Sequence, residues 1–284
     1  MKRALRCPVT AWLLSLSIPA LGEQSARELL DRARDSLASA SAIRRVDTTE
    51  QSGVVIVGPR RMEQKPQTNT VTIEIDASKH LARQTGKIQG QEFIILKQGE
   101  KAAMQLGNGR WEIPTGPFEN IAKDMGNLFV CEIETPETKK NAPTWKLAGT
   151  EMLCGIEAFV IETEGNTAVP LAQERVMKGM AKGYAGNPGQ RPTVKVLEYS
   201  ARHWINKSDY RPLQAVQVSK VEVTMVLPDG NRQLIESSSK VTSRYSYDKV
   251  IIEVPEDARK VLSLKTIPSQ RGEQLEKGRA TTDK

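Results

Sequence analysis

Aromatic side chains make up only 5% of the 284 residues, and cysteine occurs three times, too seldom for a disulfide-built scaffold. There are two histidines, His80 and His203, with no His-x-x-x-His pair and no Cys/His cluster, so the common zinc sites are excluded. His203 lies in a strand-like run beside Trp204, where a structural or surface role is expected. No Gly-x-Ser-x-Gly elbow, Walker loop or Gly-x-Gly-x-x-Gly occurs. Carboxylate pairs leave no sequence signature, so nothing positive supports an enzyme, and the chain reads as non-enzymatic with no cofactor. Basic residues come as scattered doublets, Arg44-Arg45, Arg60-Arg61 and Lys139-Lys140, without the basic helix or stripe that nucleic acid requires. A mean hydropathy of −0.44 excludes a multi-span membrane protein.

What is present begins with the one long apolar stretch, Val9 to Leu21, preceded by Lys2, Arg3 and Arg6 and ending in Ala20-Leu21-Gly22. A basic start, a short apolar region and a small-x-small site make residues 1–22 a secretory signal peptide, too short to be a spanning helix. The expected mature protein is periplasmic or otherwise exported, and its net charge falls from +7 to about +4. Cys131 and Cys154 then remain. In an oxidising space they either pair, closing a loop of about 22 residues that stabilises by roughly 3 kcal/mol, or stay as two buried thiols in apolar, strand-like surroundings.

Beyond the leader, Ala26, Leu29, Leu30, Ala33 and Leu37 fall on one face of a helix predicted over residues 23–40, with Ser25 and Glu28 spaced as a capping box. From Ile43 the period changes to two. Val71, Ile73 and Ile75 alternate with polar residues, and tight turns such as Gly58-Pro59 and Gly107-Asn108-Gly109 separate short strands into an antiparallel meander. A helix over residues 118–129 places Phe118, Ile121, Met125 and Phe129 on one side. Residues 165–192 read as a loose helical insertion carrying Met177 and Met180. Three long strands follow, then a strand over residues 250–254, a short helix from Pro255, and a disordered polar tail over residues 269–284. Residues 23–268 form a single domain.

Several short motifs sit at matching places in this order. They are Ala26-Arg27-Glu28-Leu29-Leu30 before Ile43, Gly149-Thr150-Glu151 before Cys154-Gly155-Ile156, His203-Trp204-Ile205-Asn206 before Arg211-Pro212-Leu213, and Ile252-Glu253-Val254-Pro255-Glu256-Asp257-Ala258. Over roughly residues 25–261 the chain resembles the LolA/LolB-like lipoprotein-carrier superfamily, which includes outer-membrane lipoprotein-sorting proteins and RseB-like domains. Two features depart from it: Asn206 stands where the family has Asp, and the insertion over residues 165–192 is long.

The resemblance implies an α+β fold, a strongly curved antiparallel sheet (an incomplete β-barrel) whose concave face is closed by an N-terminal helix and inserted helices. It also implies an apolar interior for lipid or lipoprotein acyl chains, each buried CH₂ being worth about 0.8 kcal/mol. Joined to the period-two pattern, the expected lining is Val71, Ile73, Ile75, Phe93, Ile95, Met104, Leu106 and Trp111. Phe118, Ile121, Met125 and Phe129, with Met177 and Met180, would supply a lid whose flexible thioethers adapt to varied chains. An envelope membrane protein is a second expected partner. The alternative is an envelope protein-interaction or structural domain with a filled core and no lipid cargo.

Overall fold

The computed structural model describes residues 25–88, 90–125, 143–183, 192–226 and 232–264. It opens with helix α1 (Ala26–Ala38). Ser25 Oγ accepts from the Glu28 N–H at 3.2 Å while the Ser25 N–H donates to Glu28 Oε2 at 2.9 Å, so the two side chains satisfy backbone donors reciprocally. All five apolar positions of its stripe are buried.

Ten strands follow: β1 (Ala42–Val57), β2 (Arg60–Asp76), β3 (Leu81–Ile88), β4 (Gln91–Gln98), β5 (Lys101–Leu106), β6 (Trp145–Leu153), β7 (Ile156–Thr163), β8 (Thr193–Asn206), β9 (Pro212–Val226) and β10 (Arg232–Ser246). Three more helices interleave: α2 (Pro117–Asp124), α3 (Val169–Gly183) and α4 (Glu256–Ser263). The strands form one antiparallel sheet in the order β5-β4-β3-β2-β1-β10-β9-β8-β7-β6, curved and not closed into a barrel. The chain thus builds outward from the centre to one edge, and from the other edge back to the centre, where β1 and β10 pair from Arg44↔Ser246 to Val57↔Gln233.

Helices α1, α2 and α3 all lie on one face, here called inner, and α4 lies on the outer face. The first half of α1 packs on Ile161 and Ile205, and its end, Leu37 with Ala40, packs on Ile43 and Ile73. One helix therefore ties β7 and β8 to β1 and β2. Residues 250–254 do not form the expected strand. Val250 and Ile252 instead join Ala258 and Leu262 of α4 over Leu81, Leu96 and Ala103, burying the outer face where a further edge strand would leave it bare. Pro255 stands at the N-cap of α4, one position before the first helical turn.

The edges are protected. Strand β2 pairs with β3 only from Thr72, so its exposed first half, Arg60 to Thr70, is paired to β1 on one side and has no strand on the other among the described residues. Lys65 and Pro66 fall there, where the register slips against Gln51 and Gly53. A bulge, a charge and a missing N–H all discourage another chain from adding to this edge.

On the outer face Arg44, Glu74 and Arg83 lie directly opposite one another on β1, β2 and β3. Glu74 is buried, its Oε1 accepting from Arg44 Nε at 2.9 Å and its Oε2 from Arg83 Nε at 2.7 Å. Burial works against the charge. Hydrogen bonds and positive charges from Arg83 and Arg44 outweigh it and hold the carboxyl below its usual range. Glu74→Gln is expected to cost about 1–2 kcal/mol at pH 7 in urea unfolding, a modest figure because both guanidinium groups are partly exposed. A lowered carboxyl contributes stability above the unfolded value of about 4.3 and loses it as pH falls through the folded value, so the variant and the parent should converge in acid.

Candidate functional site: the inner face

Cross-strand register decides which side chains share this face. Ile73 lies opposite Gln84, Gln84 opposite Ile95, and Ile95 opposite Met104; Phe93 lies opposite both Gly86 and Leu106. Val71 and Ile75 flank Ile73 at period two. Seven of the expected lining positions, Val71, Ile73, Ile75, Phe93, Ile95, Met104 and Leu106, therefore share the inner face. Gly86 makes room for the Phe93 ring, since a Cβ there would stand 2.9 Å from Phe93 Cε1 and 3.0 Å from Val71 Cγ2. Helix α2 lies on this patch with Met125, at its C-cap, buried against Phe93, Ile95 and Met104 and with Phe118 and Ile121 packed beside it. The Phe93 and Phe118 rings are 5.8 Å apart and tilted by 58°.

Trp111 does not join them. Glu112 bridges to Met104 and so takes the inner side, which turns Trp111 to the outer face with Leu81, Leu96 and Ala103. Met177 is exposed on α3, and Met180 belongs to the same helix. Phe129 and Cys131 lie outside the described residues. So do residues 1–22, expected as a signal peptide, residues 269–284, expected as a tail, and residues 184–191 of the insertion. Cys154 is not a buried thiol: it is exposed at the β6–β7 turn, with φ of 51° followed by Gly155 at 82°.

Between the helices the inner face changes character. Arg45 and Asp47 form an ion pair at 3.0 Å, almost buried, with the buried Ser243 opposite Asp47 and the buried Gln84 two strands from Arg45. Farther along β1, β10 and β9 come Thr49, Gln51, Ser239, Ser237, Gln217 and Ser219. None of these was singled out from the sequence. At the α1 end His203 is fully buried, its ring edge-on to Trp145 at 5.4 Å, and burial pushes its pKa down to about 4. Tyr247 donates to the Pro212 carbonyl at 2.8 Å, and burial holds its phenol well above the usual range. A groove of about 790 Å³ lies on the outer side, lined by Lys79, Leu81, Ile252, Pro255 and Arg259. Another of about 520 Å³ opens where β3 leaves β2, lined by Thr68, Thr70, Gly86, Lys87 and Phe93. No residue of α1, α2 or α3 lines either. Among the described residues no cluster of three His, Cys, Asp or Glu side chains could hold a metal, and no helix is long and apolar enough to cross a membrane.

The short motifs acquire physical roles. Glu151, from the Gly149-Thr150-Glu151 run, accepts from Trp204 Nε1 at 2.9 Å and pairs with Arg202, whose guanidinium lies 5.0 Å over the Trp204 ring. The Glu151 and Trp204 motifs, 53 residues apart in the chain, are therefore halves of one outer-face contact. Gly149 adopts φ of 127°, beside a bulge in β6. Asn206 accepts from the Ser208 N–H at 3.0 Å and from Ser208 Oγ at 2.9 Å. Its amide oxygen thus serves the turn as an aspartate would, so the departure from the motif leaves the turn intact.

No family model matches the chain, and no curated protein matches it in sequence. Among solved structures, the Mycobacterium tuberculosis lipoprotein LppX aligns over 80% of this chain and 98% of its own, at 11% identity and a TM-score of 0.40. A DUF1329 family protein from Desulfovibrio piger aligns over 84% of this chain and 98% of its own, at 10% identity and a TM-score of 0.25. At TM-scores below 0.5 these likenesses carry no weight for function, and the fold rests on the strand order and register described above.

Proposed function

We propose that the chain is an exported, non-enzymatic carrier or sensor that holds the acyl part of a lipid or lipoprotein against the apolar half of its inner face. The observation that carries this reading is the gathering of seven alternating apolar positions from β2, β4 and β5 on one face, five of which, Ile75, Phe93, Ile95, Met104 and Leu106, cluster with α2. Eight methylenes laid on such a patch would contribute about 6 kcal/mol before the costs of association. Helix α2 suits a displaceable cover. It has eight residues, lacks a side-chain N-cap, and is tied to the sheet by one polar contact in the described set, Lys97 Nζ to the Lys123 carbonyl at 3.2 Å. Met125 and Phe118 would leave with it and let an acyl chain take their place. Residues 1–22 act as the leader in this reading.

One observation favours the alternative of an envelope interaction domain. Ile95, Phe93, Met104 and Met125 are each no more than 2% exposed, so the patch is already filled without cargo. Binding of a fluorescent sixteen-carbon fatty acid separates the two. Phe118→Ala is expected to change its affinity at least fivefold while leaving the fold intact. Trp111→Ala, on the opposite face, is expected to lower the melting temperature and leave affinity unchanged. No fatty-acid binding, together with no lipid on the native protein by mass spectrometry, would sink the carrier reading.

A further inference from the structure

The floor between the three helices carries a charge pattern that an acyl chain does not account for. Along β1 from Thr48 to Gly53, β9 from Val216 to Glu222 and β10 from Glu236 to Thr242, the ionisable side chains are Glu50, Lys220, Glu222, Glu236 and Lys240. Register turns all five to the outer face, where Glu50 stands opposite Lys240 and Glu222 opposite Glu236. The inner positions of the same segments are Thr49, Gln51, Gln217, Ser219, Ser237 and Ser239, interrupted by Gly53, Val221 and Val241. The two faces of the same strands thus differ in ionised groups and not in polarity.

A face that meets only water has no reason to exclude charge, since a solvated Lys or Glu costs nothing there. A face that meets a neutral hydrogen-bonding ligand does, because an ionised group covered by it would lose its hydration without gaining a counter-ion. Each of the six side chains both donates and accepts hydrogen bonds, as a hydroxyl group does. Gln51 Nε2 donates to Ser237 Oγ at 3.3 Å, a long contact between neighbours that a ligand hydroxyl can enter. The floor adjoins the apolar patch, since Asp47 lies opposite both Val71 and Ser243. Among the described residues of this floor an anionic headgroup finds no matching cation, because Arg45 is engaged by Asp47 at 3.0 Å.

We infer that the floor receives the headgroup of the amphiphile whose chain lies under α2, and that this headgroup is neutral and rich in hydroxyls, a sugar or polyol. This rests on the carrier reading above and names its substrate class.

The test uses the full chain and three probes with a common twelve-carbon tail: dodecyl maltoside, dodecyl phosphate and an N-dodecanoyl triglycine amide, each titrated calorimetrically below its micelle concentration. The maltoside is expected to bind at least tenfold tighter than the other two. Gln51→Glu, isosteric at an exposed floor position, should abolish that advantage, whereas Ser238→Glu, on the outer face of β10, should keep it. Equal binding of all three probes overturns the headgroup inference and leaves the acyl reading standing. Binding of the triglycine amide as tight as that of the maltoside also overturns it, because the floor would then read amides. If no probe binds, both readings fall together.

Discussion

Acidification from pH 7.5 to 4 is expected to remove about 3 kcal/mol of stability through His203 alone, from a folded pKa of about 4 against an unfolded value of 6.5. The ring sits on the inner face, opposite Ile161 of β7 and Ala215 of β9 and against Trp145, where an imidazolium would lose its water. The folded protein therefore keeps it neutral, while the unfolded chain takes up a proton below pH 6.5. The unfolded state binds more protons throughout this interval, so stability rises with pH across it. The contribution is complete above about 6.5, declines as pH falls, and is exhausted near 4. Urea unfolding at half-unit steps would trace the window. His203→Gln, which does not titrate, should flatten the curve between pH 6.5 and 4.5 and leave the acid loss that Glu74 produces below it. An unchanged slope in the variant would show that other groups set the response.

The second large effect is expected from Leu30→Ala, at about 3 kcal/mol. Leu30 is 2% exposed and packs with Leu29, Ala33, Ile161 and Ile205, so truncation removes transfer energy and leaves a cavity that a helix tied at both ends cannot close. For a domain of this size the melting temperature should fall by about 6–12 °C. Asp35→Ala, on the exposed side of the same helix, should change stability by less than about 0.5 kcal/mol. If Leu30→Ala melted within a degree or two of the parent, α1 would be an ornament and not the tie between the halves of the sheet.

Local structure was legible wherever neighbouring residues decide it. The Ser25 and Glu28 spacing and the five apolar positions of α1 reappear as a cap and a buried stripe because both depend on one turn of helix. Alternation in β2, β4 and β5 identified positions that share a face, since residues two apart along a strand point to the same side of the sheet. Trp111 escaped this logic. Its side is set by the bridge between Met104 and Glu112 after a Gly107–Gly109 turn, and composition alone does not count residues through such a turn. The polar floor escaped it for a larger reason. Gln51, Ser239 and Ser219 become one surface only when β1 is known to lie beside β10, and no local pattern announces that pairing. A partial signal did exist: β10 places Arg232, Glu236, Lys240 and Arg244 four apart, confining charge to one side of the strand. Asn206 shows the reverse case, a motif departure that mattered little because only the oxygen is used.

Placing the first and last strands side by side at the centre also has a consequence in time. Gln51 cannot meet Ser239 until nearly the whole chain is available, a separation of about 190 residues, and contacts of such range are slow to form. While β10 is still missing, β1 presents its inner edge unpaired, with Val54, Val55, Ile56 and Val57 in a row. A chain emerging from one end, whether from a ribosome or through a membrane, would spend that interval as two separate sheets without a seam. Refolding should therefore be governed by this late zipping step, and chains cut before Arg232 should aggregate where chains cut after Leu264 fold.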